Sequence, residues 1–145
     1  MKNILLAEDD RDDSMFFEIA LKELYIDSSL IVAIDGAQLM DTLEKTVPPP
    51  PSVIFLDLNM PKKSGFECLA EIRNSTKFKD IPVIIFSTSS SPQNIEKTYD
   101  LGANFYICKP RKFENLKKAI LKIISLVESQ TIMQPKRNEY FLKLA

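Results

Sequence analysis

Five short apolar runs punctuate the chain, at residues 4–7, 30–34, 53–56, 83–86 and 105–108. They are rich in Ile, Val, Leu and Phe and show little polar alternation, the signature of strands buried on both faces of a parallel sheet. Helical spacing fills the intervals. Met15, Phe16, Ile19, Ala20 and Leu24 form an i, i+3, i+4 stripe after an Asp-rich start. Ala37, Met40 and Leu43 repeat the spacing, as do Phe66, Leu69 and Ile72. Ser91-Pro92 reads as a cap followed by proline at the first helical position, with Ile95 and Tyr99 behind it. Leu116, Ala119, Ile120, Ile123, Ile124 and Val127 make the last and longest stripe. Five strands alternating with five helices predict an α/β doubly wound domain, because parallel neighbours need helical crossovers. In such a fold ligands bind at the carboxyl edge of the sheet.

Composition narrows the picture. At 145 residues the chain has the size of one domain, and 45% hydrophobic with 27% charged residues is a globular balance. No stretch approaches the roughly 20 apolar residues of a membrane span. The start, MKNILLAEDD, turns acidic too early for a signal peptide. Two cysteines, Cys68 and Cys108, cannot build a disulfide framework, and free thiols fit a cytoplasmic location. Histidine is absent, which removes Ser-His-Asp and Cys-His catalysis and zinc sites of the common His type. With three glycines the chain has neither a GxGxxG nor a Walker A loop. The net charge of −1 hides an asymmetry: residues 1–72 carry 14 acids and 6 bases, residues 73–145 carry 6 acids and 13 bases. A pI near 5.6 without a recognition motif speaks against nucleic acid as a partner.

The chemistry-bearing residues each follow an apolar run. Glu8 and Asp9 follow the first, Asp57 the third, Ser87 the fourth and Lys109 the fifth. A parallel sheet brings these ends to one edge, so three carboxylates, a hydroxyl and an ammonium are expected to line one shallow pocket. Carboxylates without imidazole or thiolate suit a hard cation, and Mg²⁺ is the expected one. Asp57 is then a candidate nucleophile for phosphoryl transfer, with Lys109 and Ser87 placed to meet phosphoryl oxygens.

These residues resemble the receiver domains of two-component response regulators. The resemblance rests on Glu8-Asp9, on Asp57-Leu58-Asn59-Met60-Pro61 with Gly65 beyond it, on Ser87, and on Lys109-Pro110, at separations of 48, 30 and 22 from Asp9 onward. It covers about residues 2–128. It implies a flavodoxin-like (βα)5 fold with strand order 2-1-3-4-5, a receiver domain at 1–128 and a C-terminal extension at 129–145 without a separate effector domain. It implies Asp57 as phosphoacceptor and Glu8, Asp9, Asp57 and the Asn59 backbone carbonyl as Mg²⁺ ligands. Ser87 and Thr88 would supply the switch hydroxyl region, Tyr106 the switch aromatic and Lys109 the phosphoryl-binding cation, with Pro110 after a cis peptide bond. The family's working cycle implies a sensor histidine kinase as donor and inward movement of Ser87, with Tyr106 entering the vacated space. Output would pass through a downstream effector, a phosphotransfer protein or a homodimer. The proline run at 48–51, Ser87-Thr88-Ser89-Ser90 and the long tail are similar to the stand-alone regulators associated with bacterial phytochromes. Arg111 departs from the hydrophobic residue often found after the Lys-Pro pair, and Ser89 is small and neutral, which leaves the pocket open.

Bland readings stand beside these. Asp10, Asp12 and Asp13 read as helix-start residues favoured by the dipole. Cys68 and Cys108 read as buried apolar residues. The prolines at 48–51 read as an exposed polyproline II spacer. For the tail beyond residue 130, with Tyr140, Phe141, Leu142 and Leu144, two outcomes stay open: disorder, or apolar residues laid on this subunit or another. Two rival functions exist as well. An aspartate-nucleophile phosphatase uses similar groups but places a D-x-D after its first strand. A phosphorylation-independent scaffold would not need the acidic pair.

Overall fold

A computed structural model describes residues 2–129 and 133–143. Five strands, β1 (Lys2–Ala7), β2 (Ser28–Ala33), β3 (Val53–Leu56), β4 (Val83–Ser87) and β5 (Phe105–Cys108), form one parallel sheet in the order β2-β1-β3-β4-β5. Between and after them run α1 (Arg11–Glu23), α2 (Gly36–Lys45), α3 (Gly65–Asn74), α4 (Pro92–Asp100) and α5 (Phe113–Glu128), then a single turn, α6 (Arg137–Tyr140). The flavodoxin-like expectation holds in element order and in strand order.

Alternation along the central strands splits the core into two layers. Val53, Phe55, Ile84, Phe86, Phe105 and Ile107 face α1 and α5. Ile54, Leu56, Val83, Ile85 and Tyr106 face α2, α3 and the C-terminal tail. Caps set the helix starts: Asp10, Asp35, Ser64 and Ser91 each accept a backbone N–H from the first turn. Ser64 and Glu67 close a full capping box. Ser91-Pro92 starts α4 where the sequence predicts it.

Several expectations are corrected. In α1 the core takes Phe17, Ala20 and Leu21, while Met15, Phe16 and Ile19 are about half exposed. The helix carries two apolar faces, and periodicity alone does not say which one the sheet covers. Ala37 of α2 is likewise exposed, with Leu39 and Leu43 buried instead. β2 is an edge strand, so Ile31 faces solvent instead of being buried on both sides. In the 48–51 run the Pro48–Pro49 bond is cis, so the trans geometry of polyproline II does not extend across it.

The tail docks on its own subunit. Tyr140 is fully buried, donating its hydroxyl to Thr98 Oγ1 at 2.7 Å and stacking edge-on against Tyr99. Phe141 pairs with Tyr106 as an isolated parallel bridge beside β5, and the Leu142 N–H bonds the Tyr106 carbonyl at 3.0 Å. Arg137 reaches Glu96 and Asp100 and lies over the Tyr99 ring. Of the apolar tail residues singled out above, Leu144 lies outside the described residues. No helix among them is long and apolar enough to cross a membrane.

Candidate functional site

The ladder carries the site residues to one edge. The Glu8 N–H bonds the Ala33 carbonyl at 2.9 Å, the Asp57 N–H bonds Ala7 at 3.1 Å, and the Lys109 N–H bonds Ser87 at 2.7 Å. Each functional side chain is therefore held by a backbone bond to the neighbouring strand. The turn after Asp57 closes through the Gly65 N–H to the Leu58 carbonyl. A Cβ at Gly65 would run into the Asp57 carbonyl, which explains a glycine there: the backbone passes too close for any side chain.

Lys109 is the hub. Its Nζ lies 2.5 Å from Glu8 Oε1, 2.9 Å from Asp13 Oδ2 and 3.3 Å from Asp57 Oδ2. Glu8 and Asp57 are buried and Asp9 is exposed. Glu8, Asp9 and Asp57 each offer a carboxylate oxygen, all within 4.8 Å of one another. Burial drives the Glu8 carboxyl well above the ordinary carboxylate range, the Lys109 ammonium pulls it back, and the Asp57 charge adds to the rise. Burial also works against the Lys109 charge, but its hydrogen bonds to Glu8 and Asp13 outweigh this and hold the ammonium charged. Burial therefore sets the Glu8 shift, and the surrounding carboxylates set that of Lys109. Oxygen-only donors with surplus negative charge fit a hard divalent ion.

The remaining predicted residues are also close by. The Asn59 N–H reaches Asp57 Oδ1 at 3.4 Å. Ser87 is buried at the end of β4, and its Oγ accepts from the Ser89 N–H at 3.2 Å. Thr88 is exposed beside it, and its carbonyl faces Cys108 Sγ. Pro110 continues the chain from Lys109, lining a cavity of about 300 Å³ with Asp13, Phe16, Phe86 and Phe113.

Two expectations change here. The Lys109–Pro110 bond is trans. With that bond trans, Lys109 already reaches Glu8, Asp13 and Asp57, so the contact does not require a cis bond. Tyr106 does not wait outside for a vacated space: it is fully buried, its hydroxyl donates to the Ser89 carbonyl at 2.7 Å, and Tyr140 and Phe141 close over its ring. The apolar tail supplies the cover that holds it in.

From its place in the sequence Asp13 reads only as a helix-start residue. It keeps that position, its N–H bonding Asp10 Oδ1 at 3.1 Å, while its carboxylate turns to Lys109. No local spacing marks this contact: Asp9 precedes the N-cap Asp10 and lies outside α1, so helical periodicity does not relate it to Asp13.

Comparison with known proteins agrees with this arrangement. A family model described as the response regulator receiver domain matches residues 4–121. Response regulator Rcp1 of Synechocystis sp. is 39% identical over 128 residues, covering 86% of this chain and 87% of Rcp1. The crystal structure of the Mn²⁺-bound form of Rcp1 is similar with a TM-score of 0.77 at 37% identity, covering 93% of this chain and 99% of the other. That of the phosphorylated cyanobacterial phytochrome response regulator RcpA gives 0.81 at 33% identity, covering 92% and 99%.

Proposed function

The chain belongs to the response regulator receiver family of two-component signalling, and from that premise we propose that Asp57 accepts a phosphoryl group from a sensor histidine kinase and thereby switches a partner-binding surface. The observation that carries the reading is the approach of Lys109 Nζ to Asp57 Oδ2, 3.3 Å, in a cup whose other carboxylates are Glu8 and Asp9. In the reaction a carboxylate oxygen of Asp57 bonds to phosphorus while the P–N bond of the donor phosphohistidine breaks. The electron pair leaves with the imidazole, which takes a proton from solvent. Glu8, Asp9, Asp57 and the Asn59 carbonyl would hold Mg²⁺, which when bound offsets the negative charge that otherwise repels an anionic donor.

The chain's own groups do the rest. Lys109 binds phosphoryl oxygens as a point charge, and Pro110 fixes the turn that follows it. The Ser87 hydroxyl, now accepting from the Ser89 N–H, turns to donate to the new dianion, with Thr88 moving on the same segment. Tyr106 senses that shift because its hydroxyl donates to the Ser89 carbonyl. The exit is the surface formed by α4, β5 and α5, part of which the docked tail covers through Tyr140 and Phe141. Reversing a 1:99 equilibrium takes roughly 5.5 kcal/mol of differential affinity. Charge-assisted bonds from Ser87 and Lys109, about 1.5–3 kcal/mol each, supply much of it.

Residues 1–128 serve as the receiver in this reading and 129–145 as its extension, working in the cytoplasm. The donor is a phytochrome-type kinase, carried over from the name of RcpA. A downstream effector, a phosphotransfer protein or a second copy takes the signal. Labelled acetyl phosphate with Mg²⁺ tests the central step. Wild-type protein is expected to gain one phosphoryl group, about 80 Da, and Asp57→Asn to gain none while keeping the wild-type far-UV circular dichroism. Label retained on that variant overturns the assignment.

A further inference from the structure

Three carboxylates meet Lys109, and they are not equivalent. Glu8 and Asp57 are nearly closed off, with side chains 1% and 8% exposed, and both belong to the group that can hold a cation. Asp13 stands outside that group, and its side chain is 35% exposed. Yet Lys109 lies nearer to Asp13, at 2.9 Å, than to the phosphoacceptor, at 3.3 Å. A helix-start role accounts for the position of Asp13 but not for this contact. Asp12 occupies the same first turn, equally placed for the dipole, and it is exposed and makes no bond to Lys109.

An ammonium has three hydrogens and a limited set of directions for strong bonds. When the phosphoryl group forms on Asp57, Lys109 must point at its oxygens. The Asp13 carboxylate pulls the same ammonium toward the rim of the site, beside the apolar cavity lined by Phe16, Phe86 and Phe113. We infer that Asp13 is a positioning residue that competes with the phosphoryl group of Asp57 for Lys109, slowing its arrival and shortening its stay. The inference rests on Asp57 as phosphoacceptor.

The test compares full-length wild type, Asp13→Asn, Asp13→Ser, Asp13→Glu and Asp12→Asn, each loaded with labelled acetyl phosphate and Mg²⁺ and then chased. Asp13→Asn should load about fivefold faster and lose label about fivefold more slowly, a change within the ordinary coupling between residues that share one partner. Asp13→Ser, a second neutral replacement, should match it. Asp13→Glu should restore the wild-type rates, which a purely structural role would not require. Asp12→Asn, which removes the same dipole interaction, should track wild type. Asp13→Asn that loads and unloads as wild type does, or loads more slowly, overturns the inference while Asp57 stays the acceptor. Wild-type protein that takes no label overturns the acceptor reading and this inference together.

Discussion

Cys68 and Cys108 look alike in the sequence, each a thiol within an apolar stretch. The fold separates them. Cys68 is fully buried on α3, its thiol 3.5 Å from the Gly36 carbonyl, and burial pushes it up to about 12. Cys108 ends β5 half-buried beside the Thr88 carbonyl. The thiolate is the reactive form, so at pH 8 a thiol raised to about 12 has only about 1 part in 10,000 available. Ellman's reagent should therefore titrate one thiol in the native protein, and Cys108→Ser should abolish that phase. Cys68 should appear only in denaturant. Two fast thiols in the native protein would contradict the packing of α3. At this scale the strand-end residues Glu8, Asp9, Asp57, Ser87 and Lys109 were legible, because a polar residue after an apolar run has one place to be in a parallel sheet. The tie between Asp13 and Lys109, 96 positions apart, was not legible, since no local pattern encodes which of several acids a distant cation meets.

Among the elements, the tail departs furthest from a bare receiver. Residues 133–143 add one turn and a bridge to the β5 edge, covering strand groups that would otherwise face solvent. Tyr140 anchors them. Its ring fills the space between Tyr99 and Tyr106, and its hydroxyl meets Thr98. Truncating a buried aromatic of this kind costs about 3–5 kcal/mol when the site cannot collapse. Here the tail can leave instead, so the loss should be local. In Tyr140→Ala, hydrogen exchange should speed up at Phe141 and Leu142, whose N–H now bonds the Tyr106 carbonyl, while β1 and β3 stay protected. Unchanged exchange at Leu142 would show that the bridge holds without the anchor. The sequence offered an apolar tail and no more. Whether it docked, and on what, depended on a groove built from Thr98, Tyr99 and Tyr106, which exists only once α4 and β5 are in place.

Across the whole molecule, the two tyrosines link tail and sheet to alkaline pH. Burial raises both the Tyr106 and Tyr140 hydroxyls above the ordinary tyrosine value. A raised value in the folded state means the folded protein holds its proton more tightly than the unfolded chain does. The resulting stability is complete below about pH 10, the unfolded value, and declines as pH climbs past it. The melting temperature should fall between pH 9.5 and 11, a range bracketing about 10, and Tyr140→Phe should flatten that fall because its ring stays and its proton does not. Equal slopes for the two proteins would remove Tyr140 from the account.

The chain by itself determined the number, kind and order of the elements, and which side chains end up on the carboxyl edge. Those follow from local periodicity and from the rule that parallel strands need crossovers, both of which act along the sequence. Only the tertiary structure decided which apolar face of α1 is covered, that Asp13 shares Lys109 with the phosphoacceptor, that Tyr106 is already closed in, and that the tail lies against β5. Each of these is a choice among partners brought together by folding, and a choice among partners depends on distances in space that spacing along the chain does not carry.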